Sequence, residues 1–118
     1  MSSRSVLLIG LDPRAIPGFD AAPVEVAIKM GQARFEAEGI ESDLCLVKVD
    51  DTAGPQIVEA LARKPYECVV VGGGIRKPEE MLELFEVVIN LIHRHAPQAA
   101  IAFNTNPVTS IDAVKRVL

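Results

Sequence analysis

The stretch Glu67-Cys-Val-Val-Val-Gly-Gly-Gly-Ile-Arg-Lys-Pro78 says most about how this chain folds. Cys68 to Val71 are apolar without alternation, the pattern of a strand covered on both faces, and three glycines then turn the chain toward a helical segment. A strand with no wet side needs helices above and below it, which implies a parallel sheet. Ser5-Val-Leu-Leu-Ile-Gly-Leu11 has the same character and stops at Asp12-Pro13.

Working outward, Asp12 to Ala22 holds Pro13, Pro17, Gly18 and Asp20 without periodicity, an unusually long strand-to-helix loop of the kind that more often carries function than connects. Pro23 suits the first turn of a helix with Val24, Ile28, Gly31 and Phe35 on one side and Glu25, Lys29, Gln32 and Glu36 opposite, ending at Gly39. Asp43 to Val49 reads as a second strand, with Lys48 marking an edge, and Asp50-Asp51-Thr52 closes it. A short helix follows with Pro55 near its start, Ile57, Val58, Leu61 and Ala62 inward and a Glu59–Arg63 pair outward, terminated by Lys64-Pro65. Beyond the glycines, a long helix is expected from Pro78 to His95, its apolar residues spread over roughly 220° at ~100° per residue, more than one surface needs. Ala99 to Phe103 is a fourth strand, and Thr109 to Asp112 fits a capping box opening a last helix with Ile111, Val114 and Leu118 inward.

Strands alternating with helices, joined by right-handed crossovers, leave few arrangements. With the two wholly apolar strands central, the order is 2-1-3-4: one α/β domain over residues 1–118, a three-layer doubly wound parallel sheet resembling flavodoxin without its fifth strand. The second and third helices then share one face, and the last lies beside the first on the other. A crevice opens at the carboxyl ends of the first and third strands, where connections depart in opposite directions. Delivered to it are Asp12 and Arg14 from the first loop, Gly72, Gly73, Gly74 and Arg76 from the third, and Asn104, Thr105 and Asn106 from the fourth. Cys45 and Cys68 fall on strands separated by the first, roughly 10 Å apart at two inter-strand spacings and too far for a disulfide.

Among 118 residues, 49% are hydrophobic and 24% charged, the balance of a globular chain, and the formal net charge is -4. That field offers polyanions no handle, so neither nucleic acid nor an anionic membrane is an expected partner. The apolar run after Met1-Ser-Ser-Arg-Ser is too short for a signal-peptide core, no stretch approaches the ~20 apolar residues of a membrane span, and a cytoplasmic location is expected. His93 and His95 stand about 200° apart on a helix, where they cannot share a metal, and no metal site is expected.

Gly72-Gly73-Gly74 before Ile75-Arg76 could bring backbone N–H groups to an anion with Arg76 adding a charged fork, or could simply permit a tight turn. The run is neither a Walker loop, lacking GK[ST], nor GxGxxG. Asp12 could serve as a general base, a metal ligand or a ligand-orienting acceptor, or act only as a turn former. Gly72 stands where receiver domains of response regulators carry an acid, and Asp12-Pro-Arg-Ala-Ile-Pro lacks the Ser, Thr and Gly of a flavodoxin phosphate loop, so neither that family nor FMN is expected. Asn104-Thr-Asn-Pro-Val108 resembles the Asn-Pro-Val turn that contacts the nicotinamide side in lactate and malate dehydrogenases, but the glycine fingerprint those enzymes need is missing. Across the chain, Val-Val-Gly-Gly-Gly-Ile-Arg76, the Leu-Phe-Glu86 helix and Ala-Phe-Asn-Thr-Asn-Pro107 resemble small single-domain bacterial α/β proteins of unassigned activity. That resemblance implies a flavodoxin-like topology and brings no catalytic residues or cofactor. The leading expectation is a small anionic ligand bound at the crevice. The alternative is an interaction module without chemistry, a homodimer formed through the helix 78–95 and the fourth-strand edge, whose Leu84, Val87 and Leu91 stripe would need a cover.

Overall fold

A computed structural model describes residues 4–118; Met1 to Ser3, the start of the N-terminal stretch read for a signal peptide, lie outside it. β1 (Ser5–Leu11), β2 (Glu41–Val47), β3 (Cys68–Val71) and β4 (Ala100–Phe103) form one parallel sheet in the order β2-β1-β3-β4. The register pairs Ile9 with Cys45, Val6 with Cys68 and Cys68 with Ala100. β1 and β3 are central for the reason their composition gives: Leu7, Ile9, Val69 and Val71 are buried on one face and Val6, Leu8, Cys68 and Val70 on the other. Cys45 and Cys68 lie on strands flanking β1 and in different layers, and both are free thiols, as expected. β2 starts at Glu41 and ends at Val47, two residues short of the expected Val49, because β1 leaves the sheet after the Asp12 amide makes its bond to the Val47 carbonyl at 2.8 Å and leaves Lys48 and Val49 without a strand to pair with.

α2 (Ala53–Ala62) and α4 (Leu82–His95) cover one face, while α1 (Ala22–Ala37) and α5 (Ser110–Val117) cover the other. α1 buries Ile28, Gly31 and Phe35 and ends at Gly39, whose φ of 70° lets the Gly39 and Ile40 amides return to the Glu36 and Phe35 carbonyls, both at 3.0 Å. Four expectations need correction. The helix 78–95 is not continuous: α3 (Gly73–Arg76) follows the glycines, extended Pro78 interrupts, Glu79–Met81 makes a 3-10 turn, and α4 begins at Leu82. In α2 the inner residues are Ala53, Ile57, Ala60 and Leu61; Val58 is half-buried and Ala62 exposed, because the helix rests on the sheet along the 53–57–60–61 side. The capping box is Asn106 with Thr109, since the Asn106 side chain accepts the Val108 and Thr109 amides, and Asp112 instead pairs with Arg34 at 3.0 Å. Leu118, beyond the end of α5, is exposed.

Two contacts tie the layers together. At Gly31 the α1 backbone meets the chain after β4 so closely that a Cβ would lie 2.3 Å from the Pro107 carbonyl oxygen. At the other end of the sheet the hydroxyl of fully buried Tyr66 donates to the Asp43 carboxylate at 2.7 Å, and Lys64 reaches the same carboxylate at 2.9 Å. Burial pulls the Asp43 carboxyl up, but the bonds from Lys64 and Tyr66 outweigh it and hold it below its ordinary value. Burial, reinforced by Asp43, pushes the Tyr66 phenol up to about 12.

Gly31→Ala is expected to lower unfolding free energy by about 1–3 kcal/mol, because backbone must move to admit the methyl. Gly54→Ala, in α2 with open space around it, is expected to raise stability by about 0.5–1 kcal/mol. Urea denaturation of both variants reads the opposite signs. Tyr66 is the only tyrosine, and the chain has no tryptophan. Its folded value lies above the unfolded value near ~10, so the stability held by the neutral phenol is complete below that pH and lost as pH rises through about 12. Tyrosinate absorbance of the native protein should therefore rise near pH 12 together with loss of helical circular dichroism; ionisation near ~10 in a still-folded protein would contradict the buried bond.

Candidate functional site

A cleft of about 640 Å³ opens at the carboxyl ends of β1 and β3. That is the expected crevice, and its size falls in the range of small-molecule sites. Leu8, Gly10 and Leu11 of β1 and Leu46 of β2 form the floor; Val24 and Ile28 of α1 make one wall. The long first loop supplies Pro13, Ile16 and Phe19. Opposite stand Gly72–Gly74, Pro78 and Met81, with Asn104–Pro107 beyond them. Lys77 and Glu80 are the only ionisable side chains among the described lining residues.

The loop over the cleft is shaped by short polar contacts. Asp12 Oδ1 accepts the Arg14 amide at 3.0 Å and caps a 3-10 turn at Pro13–Ala15, while Asp20 Oδ1 accepts the Ala22 amide at 3.1 Å where α1 begins. Arg14 Nε donates to Glu25 Oε1 at 2.9 Å, and that hydrogen bond holds the half-buried Glu25 carboxyl below its usual range. With its polar groups engaged locally, the loop presents Ile16 and Phe19 to the cleft; Phe19 is 47% exposed.

The far wall is organised by Asn104, a buried polar residue at 2% exposure. Its Oδ1 accepts the Gly73 amide at 3.0 Å, its Nδ2 donates to Ser110 Oγ at 2.9 Å, and Ser110 Oγ donates to the Pro107 carbonyl at 2.8 Å. The same residue's carbonyl accepts Arg76 Nη2 at 2.9 Å, and Lys77 Nζ donates to the Thr105 carbonyl at 2.8 Å. A side chain at Gly73 would press on Lys77 and the Thr105 carbonyl, both 3.2 Å from a Cβ, so glycine there allows the turns after β3 and β4 to join.

Of the residues expected at the crevice, Gly72, Gly73, Gly74, Asn104, Thr105 and Asn106 line this cleft together, whereas Asp12, Arg14 and Arg76 do not. The Gly73 amide is occupied by Asn104. Arg76 lies beneath the end of β4, its guanidinium 5.8 Å from the centre of the Phe103 ring and its buried Nε without a hydrogen-bond partner among the described residues. Lys77, Glu80, Met81, Ile16 and Phe19 also line the cleft and are not among the residues expected there. For the loop residues a signal existed, since two large apolar side chains among turn formers in a long loop need something to cover. His93 and His95 are exposed at the end of α4, and no group of three or more metal-ligating side chains occurs among the described residues. Chemically, the cleft can enclose an apolar body and offer one ammonium group, one carboxylate and amide or hydroxyl groups at its mouth; no histidine or cysteine lines it.

No model of a known protein family matches the chain, and no curated protein matches its sequence.

Asn104→Ala would leave the half-buried Gly73 amide without its acceptor and the buried Ser110 oxygen without its donor, with an expected loss of about 2–4 kcal/mol on chemical denaturation. Thr105→Ala, which removes only an exposed side chain, should stay within about 0.5 kcal/mol of the parent.

Proposed function

We propose that the protein binds a small molecule with a mainly apolar body and one acidic group, held in the cleft between the ends of β1 and β3. The character of the lining carries this reading: aliphatic and aromatic side chains from Leu8 to Phe19 form the floor and cover, and Lys77 is the sole cationic side chain on the wall. The expected anionic ligand is kept, but the group proposed to meet its charge is Lys77 in place of Arg76, Arg14 and Asp12. Lys77 Nζ has one donor on Thr105 and is exposed, so a carboxylate can add to that arrangement without stripping a buried ion pair. The proposed role is capture and orientation.

Thermal unfolding in the presence of straight-chain carboxylates of increasing length, the matching alcohols, inorganic phosphate and nucleotides tests the proposal. Carboxylates are expected to stabilise by about 2.7 kcal/mol at 100 times their dissociation constant. Each added methylene should improve affinity by up to about 0.8 kcal/mol until the cleft is full. Lys77→Met should erase the preference for acid over alcohol and leave the chain-length dependence intact. Stabilisation by phosphate or nucleotides without any dependence on alkyl length, abolished by Arg76→Ala, would overturn the reading in favour of a polar anion site.

A further inference from the structure

We infer that a second copy of this chain docks on the free edge of β4 and on the flank of α4 beside it, by a two-fold pairing that continues the sheet from one subunit into the next. Unlike the cleft, this surface lies at the margin of the sheet, where among the described residues β4 has a neighbour only in β3. The Ala100 amide donates inward to the Glu67 carbonyl at 2.9 Å, so strand alternation turns the amides and carbonyls of Ile101 and Phe103 outward. The Phe103 carbonyl is met by Arg116 at 2.8 Å. Above this edge an apolar groove of about 460 Å³ runs between α4 and β4, lined by Phe85, Glu86, Ile89, Asn90, Ile101 and Phe103. Phe85 packs edge-on against Phe103, with ring centres 5.9 Å apart, and both side chains remain half-buried.

Charge selects the occupant. α4 and the turn before it carry Glu79, Glu80, Glu83 and Glu86 toward one end and His93, Arg94 and His95 at the other. A helix so polarised is complementary to itself when reversed. An antiparallel pair of β4 edges centred on Ile101 sets Ile101 against Ile101 of the second copy. It also sets the Phe103 amide against the second copy's Ala99 carbonyl. Since Phe85 marks the level of Phe103, Ile101 lies near the level of Ile89, about two residue rises along the strand against four along the helix. Helix residues whose numbers sum to about twice 89 or 90 then face one another across the axis: Ile89 meets its own copy, and Glu86 meets the second copy's His93. With the strands in this register, the helix charges pair across the same two-fold axis. A polar strand from an unrelated chain would leave the groove uncovered and the charge pattern unmatched.

Sedimentation velocity of the full chain at micromolar concentration reads the assembly. The expected result is a particle of twice the chain mass whose dissociation constant rises at least ~tenfold in Ile101→Lys, a charge on the paired edge. Glu86 and His93 are exposed, so Glu86→Lys and His93→Glu leave the core untouched; each should weaken the pair, and the double swap should restore it. A monomer throughout this range, leaving the edge to a different partner, overturns the inference. So does a dimer indifferent to Ile101→Lys, or one in which the double swap is no better than the single changes. Ligand shifts measured on the monomeric Ile101→Lys variant keep the cleft proposal separate from this one.

Discussion

The burial of β1 and β3 on both faces is the constraint from which the remaining architecture follows. Leu7, Ile9, Val69 and Val71 on one side, and Val6, Cys68 and Val70 on the other, are at most 1% exposed. Each such aliphatic side chain contributes about 1.5–3 kcal/mol when removed from water, so neither face can be left open. Helices must then cross from face to face between parallel strands, and all four carboxyl ends reach one rim. The cleft is a result of that geometry: where helices leave β1 and β3 for opposite layers, side chains cannot fill the space between them. Asn104 keeps this opening in shape by fastening the turn after β3 to the one after β4.

The strand order and the distribution of helices were legible because they depend on which segments are apolar, and apolar runs survive in a linear reading. Helix boundaries were less so. Pro78 was read as the first residue of a long helix, a position proline tolerates, whereas it separates α3 from the turn leading into α4. Thr109 has a sequence that can cap forward onto Asp112 or backward onto Asn106, and what decides is that Asp112 finds Arg34 from another helix at 3.0 Å.

The rim was located from topology alone, while its chemistry was only half read. Residues with conspicuous functional groups stand out in the sequence, but several of them are engaged elsewhere: Arg14 with Glu25, Asp12 with its own turn, Arg76 with the Asn104 carbonyl and the Phe103 ring. Of the adjacent cations Arg76 and Lys77, the guanidinium looked better suited to an anion, yet their directions are set by the single turn of α3, which no spacing rule specifies. The apolar lining was invisible for a different reason. An aliphatic side chain in a loop looks like a stray until the floor it faces is known.

The placement of the two cysteines has its own consequence. Cys45 sits among the side chains under α2, Cys68 among those under α1 and α5, and burial raises both thiols above their ordinary values, Cys68 to about 11. Neither can be alkylated until its own layer parts from the sheet. The pair is thus a built-in set of two clocks, one per layer: equal labelling rates would mean the halves open in one concerted event, and unequal rates would tell which breathes first.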